Sequence, residues 1–174
     1  MEPVIISRVT IDDIAALQQL SISTFTDTYA AYNTAEDMAN HVATHFSETV
    51  LMEELNAADS FFFFAKVDNV IAGYIKLRTS HQPLELAAWQ TIEIERIYTD
   101  KTFHGKGVGY ALIAYALLFA AELQKQVVWL GVWKQNEKAI AFYKRQGFEI
   151  FGEHVFVLGQ DEQWDWLMKK HLAG

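Results

Sequence analysis

The sequence predicts an α/β fold of the α+β kind, with helices flanking a central sheet, and three observations predict it. Ile92, Ile94, Ile97 and Tyr98 have strand composition, and a polar connection and a glycine cluster separate them from apolar residues at 108, 112, 115, 119 and 123. That spacing is helical. Phe61–Val67 and Val70–Leu77 flank Asp68-Asn69, a dipeptide suited to a two-residue hairpin turn. Beyond the long helix, Val127–Trp133 (VVWLGVW) reads as a strand, and the chain then alternates between helix and strand again.

The remaining elements follow in order. Val4–Val9 reads as a first strand. Thr10, with Asp13 three residues on, is placed to cap a helix running to about Phe25 and burying Ile14, Leu17 and Leu20 or Ile22. Thr34 with Asp37 marks a second helix start, and Ser47 a third that leads through Met52 and Leu55. Four consecutive phenylalanines, Phe61–Phe64, predict a strand buried on both faces. Gly73, inside the next strand, marks a bulge or a close approach. Thr79–Gln90, with Pro83, is expected to be a connecting loop. Asn136 opens a short helix whose end is set by Gly147 and Phe148, a left-handed residue followed by a hydrophobic one. Phe148–Leu158 and Asp161–Met168 complete the sheet as a further strand and its hairpin partner. Without repeats, low-complexity tracts or linkers, one domain over residues 1–174 is expected.

Composition narrows the function. Of 174 residues, 51% are hydrophobic and 21% charged, which fits a globular chain rather than a disordered one. The longest apolar run, Tyr110–Ala121, is too short to cross a bilayer, and the N-terminus carries no signal-peptide pattern. Cysteine is absent, which excludes disulfides, thiolate metal sites and a cysteine acyl-enzyme. A cytoplasmic protein is therefore the expectation. A net charge of −8 argues against a nucleic-acid surface and is compatible with cationic substrates. His41 and His45 stand at helical spacing with no evident third ligand, so no metal is expected.

The glycine cluster is the most chemically informative stretch. His104-Gly105-Lys106-Gly107-Val108-Gly109 precedes a helix, where free N–H groups and the helix dipole favour an anion. Glycines let the backbone approach a phosphate closely, and Lys106 adds a mobile positive charge. A dinucleotide fingerprint is excluded, because the third glycine position holds Tyr110 and the next strand lacks a terminal acid. No Walker A string occurs.

The cluster is similar to the Q/R-x-x-G-x-G/A signature of the GNAT acyltransferases, with His104, Gly107 and Gly109 in the first, fourth and sixth places. His104 departs from the usual Gln or Arg. Residues 136–148 (NEKAIAFYKRQGF) resemble that family's N-x-x-A-x-x-x-Y-x-x-x-G-F ending, in the same order and context. The resemblance covers essentially the whole chain. It implies a central mixed, mostly antiparallel sheet splayed between strands 4 and 5, and acetyl-CoA as co-substrate. Within the family, IEIERIY, WLGVW and QDEQWDWLMKKHL look closest to the bacterial Pai-type acetyltransferases, which implies a spermidine or spermine acceptor. A small amine partner, no nucleic acid and no membrane are thus expected, and self-association into a homodimer stays open.

The resemblance also assigns roles. Backbone N–H groups of Ile97, Tyr98 and Thr99 would meet the pantetheine arm and the acetyl oxygen. Residues His104, Gly105, Lys106, Gly107, Val108, Gly109 and Tyr110 would hold the pyrophosphate. Tyr143 matches the tyrosine that protonates the coenzyme A thiolate, a task suited to a phenol of pKa about 10. Asn136 would contact the coenzyme, cap its own helix, or do both. An alkylammonium also has a pKa of about 10, so a base is needed. Glu93, eleven residues before His104, is the candidate, with Glu95 and water as alternatives. Without cysteine, direct transfer in a ternary complex is expected over a covalent intermediate. Acceptor specificity is assigned to Ser21–His45 and Thr79–Gln90, with Asp27, Glu36, Asp37, Glu48, Glu53, Glu54 and Glu85 as carboxylates near a polycation.

Overall fold

A computed structural model describes residues 2–174. Its strands are β1 (Ile5–Arg8), β2 (Ser60–Val67), β3 (Val70–Arg78), β4 (Thr91–Thr99), β5 (Val127–Trp133), β6 (Glu149–Leu158) and β7 (Asp161–His171). Its helices are α1 (Ile14–Tyr29), α2 (Ala35–His45), α3 (Glu48–Asn56), α4 (Val108–Glu122) and α5 (Glu137–Arg145). The seven strands form one sheet in the order β1-β2-β3-β4-β5-β7-β6. All neighbours are antiparallel except β4 and β5. The mixed α/β class read from the sequence is borne out. No helix among the described residues is long and apolar enough to cross a membrane.

The phenylalanine run explains how the sheet holds two helical layers. Successive strand side chains point to opposite faces. Phe63 therefore packs with α4, its ring 4.7 Å from Tyr115 and 5.1 Å from Phe119. Phe62 and Phe64 lie in a separate core with Leu17, Phe25 and Leu51 from α1–α3. Each ring taken out of water contributes about 1.5–3 kcal/mol, so β2 anchors both layers at once.

Local signals were reliable at the turns. Asp68 and Asn69 both have positive φ, 50° and 63°, as a type I′ hairpin requires. Thr34 and Ser47 accept bonds from Asp37 N and Val50 N. Gly73 is a close approach, since a Cβ there would stand 2.6 Å from the Tyr98 carbonyl, and the β2–β3 register slips beside it.

Three boundaries differ from the expectation. Thr10 and Asp13 form their capping box on a 3₁₀ turn, Ile11–Asp13, and α1 then runs on to Tyr29. The 79–90 connection contains a 3₁₀ turn, Leu84–Leu86, because Leu86 is buried against Val127, Trp129 and Leu167. Finally, β7 continues three residues past Met168, because it is inserted between β5 and β6 and pairs with both.

The parallel β4–β5 pairing covers only Thr91–Ile94 against Val127–Leu130. Beyond it, the β5-facing edge of Glu95–Thr99 has no strand partner. This is the splay between strands 4 and 5.

Candidate active site

The site is built on an irregularity in β4. Lys76 pairs with Arg96 but Leu77 with Ile94, so Glu95 is an extra residue, a β-bulge. The bulge switches the side-chain alternation. Ile92, Ile94 and Ile97 all face the core beneath α4. Glu93, Glu95, Arg96 and Tyr98 all face a cavity of about 420 Å³ on the opposite side. Glu93 and Glu95 do share a face, as their spacing suggested. The signal for the bulge was present as two polar residues between Ile94 and Ile97.

Charge in this cavity is tightly organised. Arg96 makes two 2.9 Å bonds to the Glu54 carboxylate. Lys76, only 3% exposed, lies 3.0 Å from Glu54 and 2.5 Å from Glu95. The Arg78 guanidinium pairs with Glu93 through Nε and stands 3.3 Å from Glu95 through Nη1. The two candidate carboxylates consequently diverge. Burial pushes the Glu93 carboxyl up despite the Arg78 bond. Burial acts on Glu95 too, but Arg96, Lys76 and Arg78 together hold its carboxyl below the usual range.

The other walls come from several elements. Phe25 and Tyr29 of α1, His41 and His45 of α2, and Phe46 form one side, and His81 comes from the β3–β4 connection. Burial, with His45 and Arg96 adding to it, lowers His41 to a pKa of about 4, so this ring is neutral at pH 7. The remaining wall is His154, Phe156 and Val157 of β6 and Asp165 of β7, with Gly131 of β5. His154, Phe156, Val157 and Asp165 escaped the sequence reading, which placed acceptor contacts only before β4. None of the seven carboxylates nominated there lines the cavity. Glu54 is engaged by Arg96 and Lys76, and Asp27 pairs with Lys101 at 3.2 Å on the surface.

At the far end of β4 the chain turns into the glycine loop. Asp100 accepts from Thr102 N at 2.8 Å, and a His104 ring nitrogen lies 3.1 Å from the Thr99 carbonyl, tying the loop back to the strand. Gly107 has φ +79° and is the N-cap of α4. Its carbonyl accepts from Ala111, whereas the N–H groups of Gly107, Val108, Gly109 and Tyr110 find no acceptor among the described residues. Four free donors at the start of a 15-residue helix suit a phosphate. Lys106 Nζ sits 5.0 Å from the centre of the Phe103 ring beside them.

On α5, Asn136 caps the helix, its side chain accepting from Ala139 N at 3.2 Å. At the other end Gly147, φ +88°, takes the left-handed position. Phe148 N bonds the Tyr143 carbonyl and Gly147 N the Lys144 carbonyl, each at 3.0 Å, a Schellman motif. The motif stacks Phe148 edgewise on Tyr143, ring centres 6.0 Å apart, and so fixes the tyrosine. Tyr143 is buried, and burial, with Tyr29 adding to it, drives its phenol far above the ordinary value.

Residues 16–148 match the family model described as the Acetyltransferase (GNAT) family. The chain belongs to the GNAT acetyltransferases. An N-acetyltransferase from the pepI 3′ region of Lactobacillus delbrueckii subsp. lactis is 42% identical over 173 residues, 99% of this chain and 100% of that one. The Bacillus subtilis spermine/spermidine N(1)-acetyltransferase is 33% identical over 64 residues, 36% of this chain and 42% of its own. Among solved structures, the PaiA N-acetyltransferase of Thermoplasma acidophilum in complex with coenzyme A superposes with a TM-score of 0.80. It is 21% identical and covers 98% of this chain and 99% of its own.

The resemblance read from the two motifs therefore holds at family level, and the protein is an acetyl-CoA-dependent GNAT N-acetyltransferase. The residues nominated for the coenzyme, Asn136 at the start of α5 aside, fall in two groups. Ile97, Tyr98 and Thr99 lie on the open stretch of β4, and 104–110 form the donor cradle at its end. Glu93 is on the cavity side of the sheet, whereas Tyr143, on α5, packs in the core that includes α4.

Proposed function

We propose that this enzyme acetylates a primary alkyl amine, with a polyamine such as spermidine as acceptor, by direct transfer in a ternary complex. One observation carries the reading: β4 leaves its pairing with β5 after Ile94, runs on to the loop of free N–H donors, and lines a cavity with Glu93, Glu95, Arg96 and Tyr98. The N–H groups of 107–110 would hold the pyrophosphate of acetyl-CoA, with Lys106 nearby, and the open edge at Ile97–Thr99 would bind the pantetheine arm and the acetyl oxygen. Acetyl-CoA supplies the activated acyl group as a thioester. The chain's own residues do the rest.

Glu93 takes a proton from the acceptor ammonium. Its raised pKa suits that task better than the lowered one of Glu95, which is a fixed ion-pair partner. The freed amine attacks the thioester carbonyl. Tyr143 then meets the departing thiolate. A phenol raised this far stays protonated, so it serves best as a hydrogen-bond donor that shares its proton with the sulfur. Tyr143→Phe should lower kcat by about 10–100-fold with acetyl-CoA affinity near wild type. Stopped-flow acetyl transfer at full strength in that variant would make Tyr143 a packing residue.

The polyamine reading is supported by the spermine/spermidine relative and by the cavity's composition. Glu93, Glu95 and Asp165 line the cavity as its carboxylates, although Arg78 and Arg96 offset them. Phe25, Tyr29, Phe46 and Phe156 offer apolar faces for methylenes and π-faces for ammonium groups. The test is a panel of amines with acetyl-CoA, read as free thiol. Spermidine and spermine should lead it. Their KM should climb as salt rises, and that of a singly charged amine should climb less. Monoamines, peptide N-termini or peptidyl lysine far outpacing the polyamines would overturn the acceptor assignment and leave acetyl transfer intact.

A further inference from the structure

On β5, two residues beyond the Trp129 that pairs with Glu93, Gly131 stands where a side chain would otherwise project into the cavity. Two residues from other strands occupy that space. A Cβ on Gly131 would stand 3.1 Å from His154 Cε1 and 3.4 Å from Asp165 Oδ2. His154 and Asp165 are directly opposed on β6 and β7. Their Nε2 and Oδ2 are 3.5 Å apart, a charge pairing when the imidazole is protonated. The absent side chain thus makes room for an acid–base pair built from two strands.

We propose that His154, held by Asp165 over Gly131, is the proton exit of the acceptor cavity, passing to bulk water the proton that Glu93 removes from the amine. This rests on the reading of Glu93 as base. Glu93 poorly discharges its own proton: its side chain is 9% exposed and covered by Arg78. The His154 side chain is 44% exposed and lines the same cavity. The groups facing His154 are Asp165 on β7, Glu93 and Glu95 on β4, Arg78 on β3 and His81 in the β3–β4 connection. Its neighbour Glu153 is engaged by Lys134. Asp165, and secondarily Glu93, raise the imidazole's pKa against the effect of burial.

The balance is simple. The ammonium gives one proton to Glu93, Glu93 gives it to neutral His154, and the imidazolium, paired with Asp165, gives it to water. The N–C bond forms as the C–S bond breaks. The second proton on the new amide nitrogen restores the thiol through the Tyr143 hydroxyl. One proton leaves per turnover.

His154→Gln should lower kcat/KM for the acceptor at least tenfold in dilute buffer at pH 7, with acetyl-CoA affinity unchanged by calorimetry. Added imidazole should restore most of the loss, as a mobile carrier replaces the fixed one. Asp165→Asn should keep activity at high pH but move the acid limb of kcat/KM to lower pH, because the imidazolium loses its anion. Wild-type rates for His154→Gln in dilute buffer, or a loss that imidazole does not relieve, would overturn the exit. Glu93→Gln separates the two claims, since its loss should not respond to imidazole. A fully active Glu93→Gln would overturn the base reading and the exit with it. An impaired Glu93→Gln beside an unimpaired His154→Gln would overturn the exit alone.

Discussion

Glu93→Gln is expected to lower kcat/KM for the acceptor amine by about 10²–10⁴-fold at pH 7, the range associated with a lost general base. Glutamine keeps the size of the side chain and an oxygen for the Arg78 guanidinium, so the pairing that covers Glu93 is largely preserved. The gap from wild type should then narrow as pH rises towards about 10, where the amine arrives already neutral. A deficit constant across pH would mean that Glu93 matters only as a partner for Arg78. Glu95→Gln is the contrast. Held below the usual carboxylate range by its cationic neighbours, Glu95 belongs to the Lys76–Glu54–Arg96 network, and its replacement should lower Tm more than kcat.

The second large effect is expected at Gly107. Its φ of +79° is strongly disfavoured for a β-branched residue, and it is the hinge on which the free N–H groups of α4 are aimed. Gly107→Val should weaken acetyl-CoA binding by about 100-fold. Strain of the order of 1–2 kcal/mol would combine with misdirected donors and a side chain in the anion's place. Isothermal calorimetry decides it: a Kd within twofold of wild type would remove the cradle from the coenzyme site.

What the sequence disclosed, and what it withheld, divides along the range of the interactions. The Asp68-Asn69 turn and the Schellman ending at Gly147-Phe148 are each encoded within a few residues, and both appear where composition placed them. The glycine loop belongs with them, because its chemistry is mostly its own backbone. The cavity beside Glu93 does not. Its wall of His154 and Asp165 exists only because β7 enters the sheet between β5 and β6, a pairing that no local pattern announces. The nominated acidic residues lie outside the cavity lining, and for Glu54 the reason is related. Glu54 seemed free in the sequence, but Arg96 and Lys76, distant in the chain, converge on it. The bulge at Glu95 lay between these extremes, visible in the Ile94–Ile97 spacing yet interpretable only with β3 alongside.

The position of β7 also bears on when the enzyme comes into being. β7 follows every other strand in the chain, yet it lies inside the sheet, bonded to β5 on one edge and β6 on the other. A nascent chain leaving the ribosome can assemble the α1–α3 layer, the β2–β3 hairpin and the glycine loop early, since translation exposes them first. β6 has no seat until β7 arrives, and neither His154 nor Asp165 has its partner. The proposed coenzyme cradle would thus be free to fold before the cavity beside Glu93 closes, with the proposed amine site complete only once β7 has docked.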